Sequence, residues 1–319
     1  MKTPGFWQDK NLVSDLLLPF GMLYNLATRL NILFSKPRKT DRPVICIGNL
    51  TAGGTGKTPV ALSIADILQK LGCKPFFVSR GYGGTKKNVI VDSQKHSAAE
   101  VGDEPLLLSR QAPVVVNPDR YAAAQKAVTS GAEVIIMDDG FQNPGLHKDL
   151  SFLVFDGGFG YGNGRGIPAG PLRESLRDGL KRAQAVIIVG EDKHNLAQKF
   201  SFLPVFKGIV TTQKTSSTNR RVIAFAGIGR PQKFYNSMKE QGFELLKTVD
   251  FPDHHQYSAE ELNLLIKEAD QHQAALYTTA KDFVKIPTKL QKHFQVLEIK
   301  IRWENQQQLE ELLKKYLKI

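Results

Sequence analysis

The sequence predicts an α/β protein with a doubly wound, mostly parallel sheet and a second, smaller α/β domain. Two observations carry this prediction. Short apolar runs alternate with helical stretches from residue 43 to residue 189, and the same alternation restarts after a polar segment. That segment, residues 211–220, is rich in Thr, Ser and Asn and is interpreted as a linker. The predicted domains are therefore residues 1–210 and residues 218–319.

The larger domain is predicted to begin its sheet at residues 43–48 and to continue with a strand after each helix. Its further strands are expected at 74–79, 88–91, 113–117, 133–137, 151–155 and 185–189, and its helices at 58–71, 104–111, 120–130 and 172–182. The smaller domain is expected to contain strands at 221–226, 274–278 and 294–301, and helices at 232–241, 259–271 and from 304 onward.

Residues 51–58 read Thr-Ala-Gly-Gly-Thr-Gly-Lys-Thr and lie between a predicted strand and a predicted helix. Glycines in such a loop let backbone N–H groups approach phosphate oxygens, and the helix start adds its positive dipole end. Lys57 would reach the β- and γ-phosphates, and the Thr58 hydroxyl would bind Mg²⁺. Thr51 stands where the phosphate-loop pattern has glycine. The match predicts a P-loop NTPase-like fold that holds a nucleotide with Gly53, Gly54, Thr55, Gly56, Lys57 and Thr58.

An apolar strand at residues 134–137 ends in two carboxylates, Asp138 and Asp139. In P-loop proteins an acid at the end of such a strand holds the Mg²⁺ shell. The spacing does not decide which aspartate does so. The alternative is that the strand-end acid only caps the next turn.

Two other acidic stretches are candidates for chemistry. Asp103 and Glu104 directly precede a predicted helix, where Asp103 is also a good N-cap residue. Asp253 and His254 follow a strand in the second half of the chain. An adjacent Asp and His can orient or carry out proton transfer, although such a pair on a loop is usually solvated.

A glycine-rich stretch at residues 157–166 is predicted to form a lid. It leads to Arg173 at a helix start, and this arginine is either a phosphate ligand or a surface salt-bridge residue.

Lysine and arginine total 43 against 31 aspartates and glutamates, which gives a net charge of +12. This excess indicates an anionic partner, namely a polyphosphate, a nucleic acid or an anionic membrane face. The two cysteines fall in apolar strand-like runs, so neither a disulfide framework nor a metal cluster is expected, and this suits the cytosol.

Residues 11–34 are apolar but contain no uninterrupted run of the roughly 20 residues that a spanning helix needs. Their apolar side chains recur at intervals of three and four and are flanked by Lys and Arg. A helix of this kind either lies in a membrane interface or packs on its own domain. The stripe consists of Leu16, Phe20, Leu23, Ala27, Leu30 and Phe34.

Taken together and in order, these stretches resemble the tetraacyldisaccharide 4′-kinase family, the inner-membrane lipid A kinases of Gram-negative bacteria. The matching stretches are residues 17–20, 47–50, 53–58, 79–82, 102–105, 119–121, 138–142, 168–174, 225–229 and 251–255. They cover nearly the whole chain. One departure is Asn143, followed by Pro144, where the family usually has His.

The resemblance implies an ATP- and Mg²⁺-dependent kinase with two α/β domains around a cleft and an N-terminal membrane-associating helix. It implies phosphorylation of the 4′-hydroxyl of the glycolipid tetraacyldisaccharide 1-phosphate, giving lipid IVA, at the cytoplasmic face of the inner membrane. By the same resemblance Asp103 and His254, with Asp253 and Lys57, are catalytic. The resemblance also implies that nucleotide and metal are bound by Lys57, Thr58, Glu104, Asp138, Asp139 and Arg173.

The main alternative is a P-loop NTPase that acts on another anionic partner such as nucleic acid. The chain has no basic–aromatic platform of the kind that binds nucleic acid, and no such partner is expected. It also lacks the Asn-Lys-x-Asp tetrapeptide of guanine-reading GTPases, and Ala52 stands where a partitioning-type ATPase has lysine.

Overall fold

The computed structural model describes residues 4–213 and 219–318. A 3₁₀ turn at Gly5–Trp7 precedes the helices, which are α1 Leu12–Leu16, α2 Leu18–Phe34, α3 Lys57–Lys70, α4 Ala98–Val101, α5 Asp103–Leu108, α6 Arg120–Thr129, α7 Leu176–Arg182, α8 Leu196–Lys199, α9 Pro231–Glu240, α10 Ala259–Gln271, α11 Ala280–Phe283, α12 Thr288–Gln291 and α13 Gln306–Leu317. The strands are β1 Val44–Gly48, β2 Pro75–Ser79, β3 Val89–Ile90, β4 Val114–Val116, β5 Val134–Asp138, β6 Leu150–Asp156, β7 Ala185–Val189, β8 Val205–Thr212, β9 Arg221–Ala226, β10 Glu244–Asp250, β11 Ala275–Thr278, β12 Phe294–Val296 and β13 Ile299–Trp303.

Within the described residues these strands form two sheets. The large sheet has nine strands in the order β13-β8-β7-β6-β1-β5-β2-β4-β3, and the small sheet has four in the order β10-β9-β11-β12. The large sheet is parallel except at its two edges, where β3 and β13 run antiparallel to their neighbours. The predicted doubly wound, mostly parallel sheet and the second, smaller α/β unit are both present.

Strand β1 lies in the middle of the large sheet and is buried on both faces. Ile45 and Ile47 belong to the core beneath α3, whereas Val44 and Cys46 belong to the core on the opposite face. A parallel strand covered by helices on both sides is expected to be apolar throughout, and β1 is. In register, Ile47 faces Asp138 on β5. The carboxyl ends of β1 and β5 therefore meet at one edge of the sheet.

Strand β8 was not predicted, and the linker prediction is wrong at its beginning because Thr211 and Thr212 belong to β8. These polar residues extend a strand because they pair with Lys300 and Ile299 of the edge strand β13. The rest of the predicted linker includes residues 214–218, which lie outside the described part of the chain.

The single strand predicted at residues 294–301 is two strands in two different sheets. Strand β12 ends the small sheet, and two residues later β13 joins the large sheet beside β8. Helix α13 follows and buries Leu309, Leu313 and Leu317 in the core beneath the large sheet. The predicted extent of the smaller domain, residues 218–319, therefore does not hold for β13 and α13.

Two helices of the larger unit differ from their predicted bounds by more than one residue. Helix α7 begins at Leu176 rather than at residue 172, because the Ser175 side chain caps it by accepting from the Asp178 N–H at 3.1 Å. Residue 172 instead forms a bridge to the phosphate loop. Helix α5 begins at Asp103, one residue earlier than predicted, and it ends at Leu108, three residues earlier than predicted.

The N-terminal helix is interrupted at Leu17, which ends α1 and precedes α2. Pro19 lies in the first turn of α2, where the missing N–H removes no intrahelical bond. All six side chains of the predicted apolar stripe are exposed, and of α2 only Gly21 is buried. The alternative in which this stripe packs on its own domain is therefore wrong. None of the helices in the described residues has the length and apolarity that crossing a bilayer requires.

Candidate active site

The loop between β1 and α3 has the shape of a phosphate cradle. Gly53 and Gly56 have positive φ angles of 113° and 86°, which side chains rarely adopt. A Cβ atom at Gly53 or Gly54 would have no neighbour within 4 Å, so the backbone there is open to a ligand. Asn49 is fully buried and donates from Nδ2 to the Thr51 carbonyl at 2.6 Å and to Thr55 Oγ1 at 3.2 Å. One buried amide thus fixes the curvature of the loop.

A second segment of the chain supports the loop from outside. The Ala52 N–H donates to the Pro171 carbonyl at 2.8 Å, and the Arg173 N–H donates to the Leu50 carbonyl at 2.7 Å. Thr51 and Leu172 form an isolated antiparallel bridge between these contacts. The backbone that holds the loop is therefore the backbone that carries Arg173.

The strand-end carboxylates face the start of α3. Asp139 follows β5 with a φ of +49°, and its Oδ1 lies 3.6 Å from Lys57 Nζ and 2.8 Å from Arg173 Nη1. Burial opposes ionisation of Asp139, but Lys57 and Arg173 outweigh it and hold its pKa below the usual value. Arg173 is thus directed into the site, not into a surface salt bridge.

Asp138 is the unpartnered member of the pair. It is buried, and its Oδ1 atom has no hydrogen-bond partner. Burial, together with the negative charges of Glu104 and Asp139, raises its pKa to about 7. Because Glu104 raises the pKa of Asp138, the start of α5 must lie near the strand-end acids. A buried carboxylate oxygen without a partner is the kind of donor that a hard cation takes.

Asp103 joins the two α/β units. Its Oδ2 atom accepts from His254 Nδ1 at 2.9 Å, and its Oδ1 atom accepts from the Glu104 N–H at 2.9 Å. The N-cap interpretation of Asp103 is therefore wrong, because Gly102 is the N-cap and Asp103 is the first residue of α5. One of its carboxylate oxygens accepts from the next residue in the helix, and the other accepts from the histidine. Hydrogen bonding to Asp103 raises the pKa of His254, and although burial opposes it, His254 and Lys281 lower the pKa of Asp103.

His254 belongs to the loop after β10 and has a positive φ of 62°. Its ring lies edge-on to Tyr82 with the centroids 5.7 Å apart. Asp253, the residue before it, has a buried Oδ1 atom that makes no hydrogen bond and lies 3.9 Å from His254 Nε2. The loop therefore directs an imidazole and a carboxylate toward α5, and the pair is not freely solvated.

Two residues that the sequence did not single out belong to the site. Asn49 shapes the phosphate loop, and Lys281 at α11 places its Nζ atom 3.2 Å from His254 Nε2 and 3.4 Å from Glu104 Oε1. Asn49 lies in residues 47–50, one of the stretches that match the family, but no role was assigned to it, and Lys281 lies in none of those stretches. Each of the two follows directly or closely on the end of a buried parallel strand, and this position is the signal that could have found them.

The remaining candidates lie near the same edge of the sheet. Thr58 is the second residue of α3, and Glu104 the second residue of α5. Asn143 forms a local turn in which its Oδ1 accepts from the Gly145 N–H at 3.1 Å, so the family's histidine is replaced here by a turn residue. Within the described residues there is no cluster of three or more His, Cys, Asp or Glu side chains that could hold a metal by itself.

A glycine-rich loop between β1 and α3, with carboxylates at the end of the neighbouring strand β5, is the arrangement of P-loop nucleotide-binding proteins. A hydrogen-bonded acid–histidine pair lies where the two α/β units meet. The family model described as tetraacyldisaccharide-1-P 4′-kinase (LpxK) matches residues 13–318. The chain belongs to that family, and the kinase interpretation is favoured over the nucleic-acid-binding alternative.

Several proteins are similar to this chain over nearly its full length. The tetraacyldisaccharide 4′-kinase of Rhodospirillum centenum is 45% identical over 98% of this chain and 96% of its own. That of Paramagnetospirillum magneticum is 44% identical over 95% of both chains. The crystal structure of LpxK from Aquifex aeolicus in complex with ATP is 29% identical, with a TM-score of 0.76 over 96% of this chain and all of that one. The predicted fold class is confirmed.

Lys57→Ala is expected to lower the turnover number for ATP by at least ~10²-fold, because it removes a cation that stabilises charge developing on the β- and γ-phosphate oxygens. Folding should be retained, since Lys57 points toward Asp139 and not into the core. The matched control is Lys70→Ala at the other end of α3, where the lysine is exposed and pairs with Asp66. Steady-state assays give the turnover number of both variants, and thermal melting shows whether they are folded. Near-normal turnover of Lys57→Ala would contradict the role of this loop in binding the nucleotide phosphates.

Proposed function

We propose that this protein transfers the γ-phosphoryl group of ATP to the 4′-hydroxyl of tetraacyldisaccharide 1-phosphate, giving lipid IVA in lipid A biosynthesis. Family membership supports the reaction. The observation that carries the mechanism is the hydrogen bond of 2.9 Å between Asp103 and His254, which joins the two α/β units beside the strand-end acids.

The nucleotide fits the loop between β1 and α3. The open backbone at Gly53 and Gly54 would surround the phosphates, and Lys57, which is mostly buried and reaches Asp139, is directed to the same place. Arg173 adds a second cation, fixed by its contact with Asp139. The solved LpxK structure in complex with ATP supports the choice of nucleotide.

Mg²⁺ fits the acids at the end of β5. The buried, unpartnered Oδ1 atom of Asp138 is an available oxygen donor, and Asp139, Glu104 and Thr58 supply further oxygen atoms nearby. Mg²⁺ is usually held by one or two carboxylates together with substrate phosphates, and this agrees with the lack of a closed cage in the described residues. When bound, the ion would neutralise charge on the β- and γ-phosphate oxygens.

Asp103 is proposed as the base. The sugar hydroxyl loses its proton to the Asp103 carboxylate while its oxygen bonds to the γ-phosphorus, and the bond to the β–γ bridging oxygen breaks to release ADP. His254 orients the Asp103 carboxylate through the hydrogen bond from its Nδ1 atom. The lowered pKa of Asp103 keeps it ionised at neutral pH.

The acceptor is a glycolipid, and α1 and α2 are proposed to bring it to the site at the cytoplasmic face of the inner membrane. Eleven of the 17 exposed large apolar side chains in the described residues belong to these two helices. Such a surface fits a monotopic helix lying in the interface rather than a span. The docking of α2 against Gly166 and Ala169, close to Arg173, supports a membrane face beside the phosphate loop.

The direct test is transfer of label from γ-labelled ATP to tetraacyldisaccharide 1-phosphate in detergent micelles. We expect a labelled lipid product that depends on Mg²⁺ and is unaffected by added DNA or RNA. Absence of labelled lipid with correctly folded enzyme would reject the proposed reaction. ATP turnover that responds to nucleic acid instead would favour the alternative partner.

Asp103→Ala, His254→Ala and the double variant should show similar losses in kcat, because two groups that act as one unit are not additive. The affinity for ATP should change little. His255→Ala is the matched control, since that neighbouring histidine bonds Glu261 at 3.0 Å. Single-turnover transfer and ATP titration make the comparison. Losses that multiply in the double variant would mean independent roles, and a normal rate per folded molecule of Asp103→Ala would reduce Asp103 to a helix-start residue.

Replacing Leu16, Phe20 and Leu23 together by Ser should weaken partition into vesicles of phosphatidylethanolamine and phosphatidylglycerol. These side chains are 78%, 61% and 65% exposed, so their removal should leave the fold intact while reducing the apolar area available for insertion. Phe202→Ser, at an equally exposed aromatic outside α1 and α2, is the control.

Vesicle co-sedimentation gives the partition, and kinase assays compare acceptor presented in vesicles with a short-chain soluble analogue. Only the vesicle-presented acceptor should be phosphorylated more slowly. Unchanged sedimentation of the folded triple variant would reject these helices as the membrane attachment.

A further inference from the structure

Lys281 lies where the two α/β units face each other, and its Nζ atom meets polar groups from both. From the larger unit it approaches Glu104 Oε1 at 3.4 Å and Asp103 Oδ2 at 3.9 Å. From the smaller unit it approaches His254 Nε2 at 3.2 Å and Asp253 Oδ1 at 3.7 Å. A single ammonium group therefore lies close to Asp103, the proposed base, and to Glu104, Asp253 and His254.

The chemistry of an ammonium group restricts what His254 can do. Its three N–H groups are donors and it has no acceptor, so at 3.2 Å the Nε2 atom of a neutral His254 must accept. The remaining ring proton then lies on Nδ1, the atom 2.9 Å from Asp103 Oδ2. The lysine thereby selects the tautomer in which His254 donates to Asp103. Burial opposes the charge on Lys281, but Glu104, Asp103 and Asp253 outweigh it and raise the lysine pKa.

The helix that carries Lys281 is anchored independently of the site. Thr279 caps α11 by accepting from the Asp282 N–H at 3.1 Å. Asp282 is fully buried, and its Oδ2 atom accepts from the Gly227 N–H at 3.0 Å and from the Thr279 hydroxyl at 2.7 Å. Its carboxylate also pairs with the buried ammonium of Lys285 at 2.7 Å. Because these contacts attach α11 to the end of β9, the helix holds Lys281 in a fixed position.

We propose that Lys281 is a positioning residue for phosphoryl transfer, which orients His254 toward Asp103 and holds the two α/β units together at the base. This inference rests on the proposed function. It assigns to α11 a role separate from the phosphate loop, since Lys281 contacts the residues around the acceptor hydroxyl and none of the glycines that surround the phosphates. Loss of Lys281 should therefore lower kcat without weakening ATP binding.

Lys281→Ala and Lys281→Met separate the charge from the packing. Both remove the ammonium, but methionine fills the space of the lysine side chain and alanine leaves it open. We expect about a 10²-fold fall in kcat for both, the scale on which a displacement of about 1 Å acts. The dissociation constant for ATP should stay near the wild-type value. Added ethylammonium should partly restore Lys281→Ala and leave Lys281→Met and the wild-type enzyme unchanged.

Lys233→Met is the matched control. Lys233 is also a lysine of the smaller unit that pairs with a carboxylate of the larger one, Asp156, at 2.6 Å, but it lies away from His254. It should keep a near-normal kcat. In a His254→Ala background, where no imidazole remains to be oriented, Lys281→Met should cost much less than in the wild type.

Each outcome bears on the inference. A normal kcat for folded Lys281→Met would overturn the inference. An equal loss of kcat for Lys233→Met would also overturn it, because the loss would then follow from removing any lysine–carboxylate contact between the two α/β units. Failure of ethylammonium to restore Lys281→Ala would overturn the role of the charge. These results all presuppose transfer by the wild-type enzyme, and an absence of that transfer would instead reject the proposed function itself.

Discussion

The cost of burying carboxylates governs the arrangement of this site. Asp103 and Asp138 are only 5% and 4% exposed, and an ionised carboxylate taken out of water costs several kcal/mol unless a cation or hydrogen bonds replace the solvent. Asp103 and Asp139 satisfy this requirement with cations drawn from three separate elements, whereas Asp138 keeps one unpartnered oxygen and a raised pKa. The protein itself thus supplies the counter-charges of Asp103 and Asp139, whereas one oxygen atom of Asp138 is available to a ligand. The cations are Lys57, Arg173 and Lys281.

One short stretch of chain, residues 163–173, links the N-terminal helices to the phosphate loop. At one end Arg165 contacts Ser14 and Asp15 of α1, with Nη1 2.8 Å from the serine hydroxyl. A Cβ atom on Gly21 of α2 would lie 2.7 Å from the Gly166 carbonyl, so this crossing admits only glycine without displacement. At the other end Pro171 and Arg173 bond the backbone of the loop itself. Residues 163–173 therefore contact both the exposed apolar helices and the phosphate loop, and these contacts fix the position of one relative to the other.

Structural features that depend on neighbours in the chain were predicted from the sequence, and features that depend on neighbours in space were not. The phosphate loop and the acids after β5 are local patterns at strand ends, and the structure brings them together as expected. The return of the chain to the large sheet could not be read from the sequence, because β12 and β13 form one apolar run whose division depends on pairing with β8. Lys281 was missed for the same reason: its partners lie on α5 and the loop after β10. Likewise, periodicity predicted a one-sided helix at residues 11–34 but could not decide what covers that side.

The proposed membrane attachment would depend on two contributions to the binding free energy, namely electrostatic attraction and the burial of apolar side chains. The basic residues beside α2 are partly engaged elsewhere, since Arg38 and Lys39 lie 2.9 Å and 3.8 Å from aspartate oxygens. A lysine or arginine near an anionic surface contributes about 1 kcal/mol, so the exposed Lys10, Arg29, Lys36 and Arg42 together contribute about 4 kcal/mol. Burying one large apolar side chain contributes about 1.5–3 kcal/mol, and α1 and α2 expose eleven of them. Even if only half of these side chains enter the interface, the apolar contribution exceeds the electrostatic one. In the proposed attachment, the net charge of +12 would attract and orient the protein at an anionic surface, while the exposed apolar side chains of α1 and α2 would hold it there.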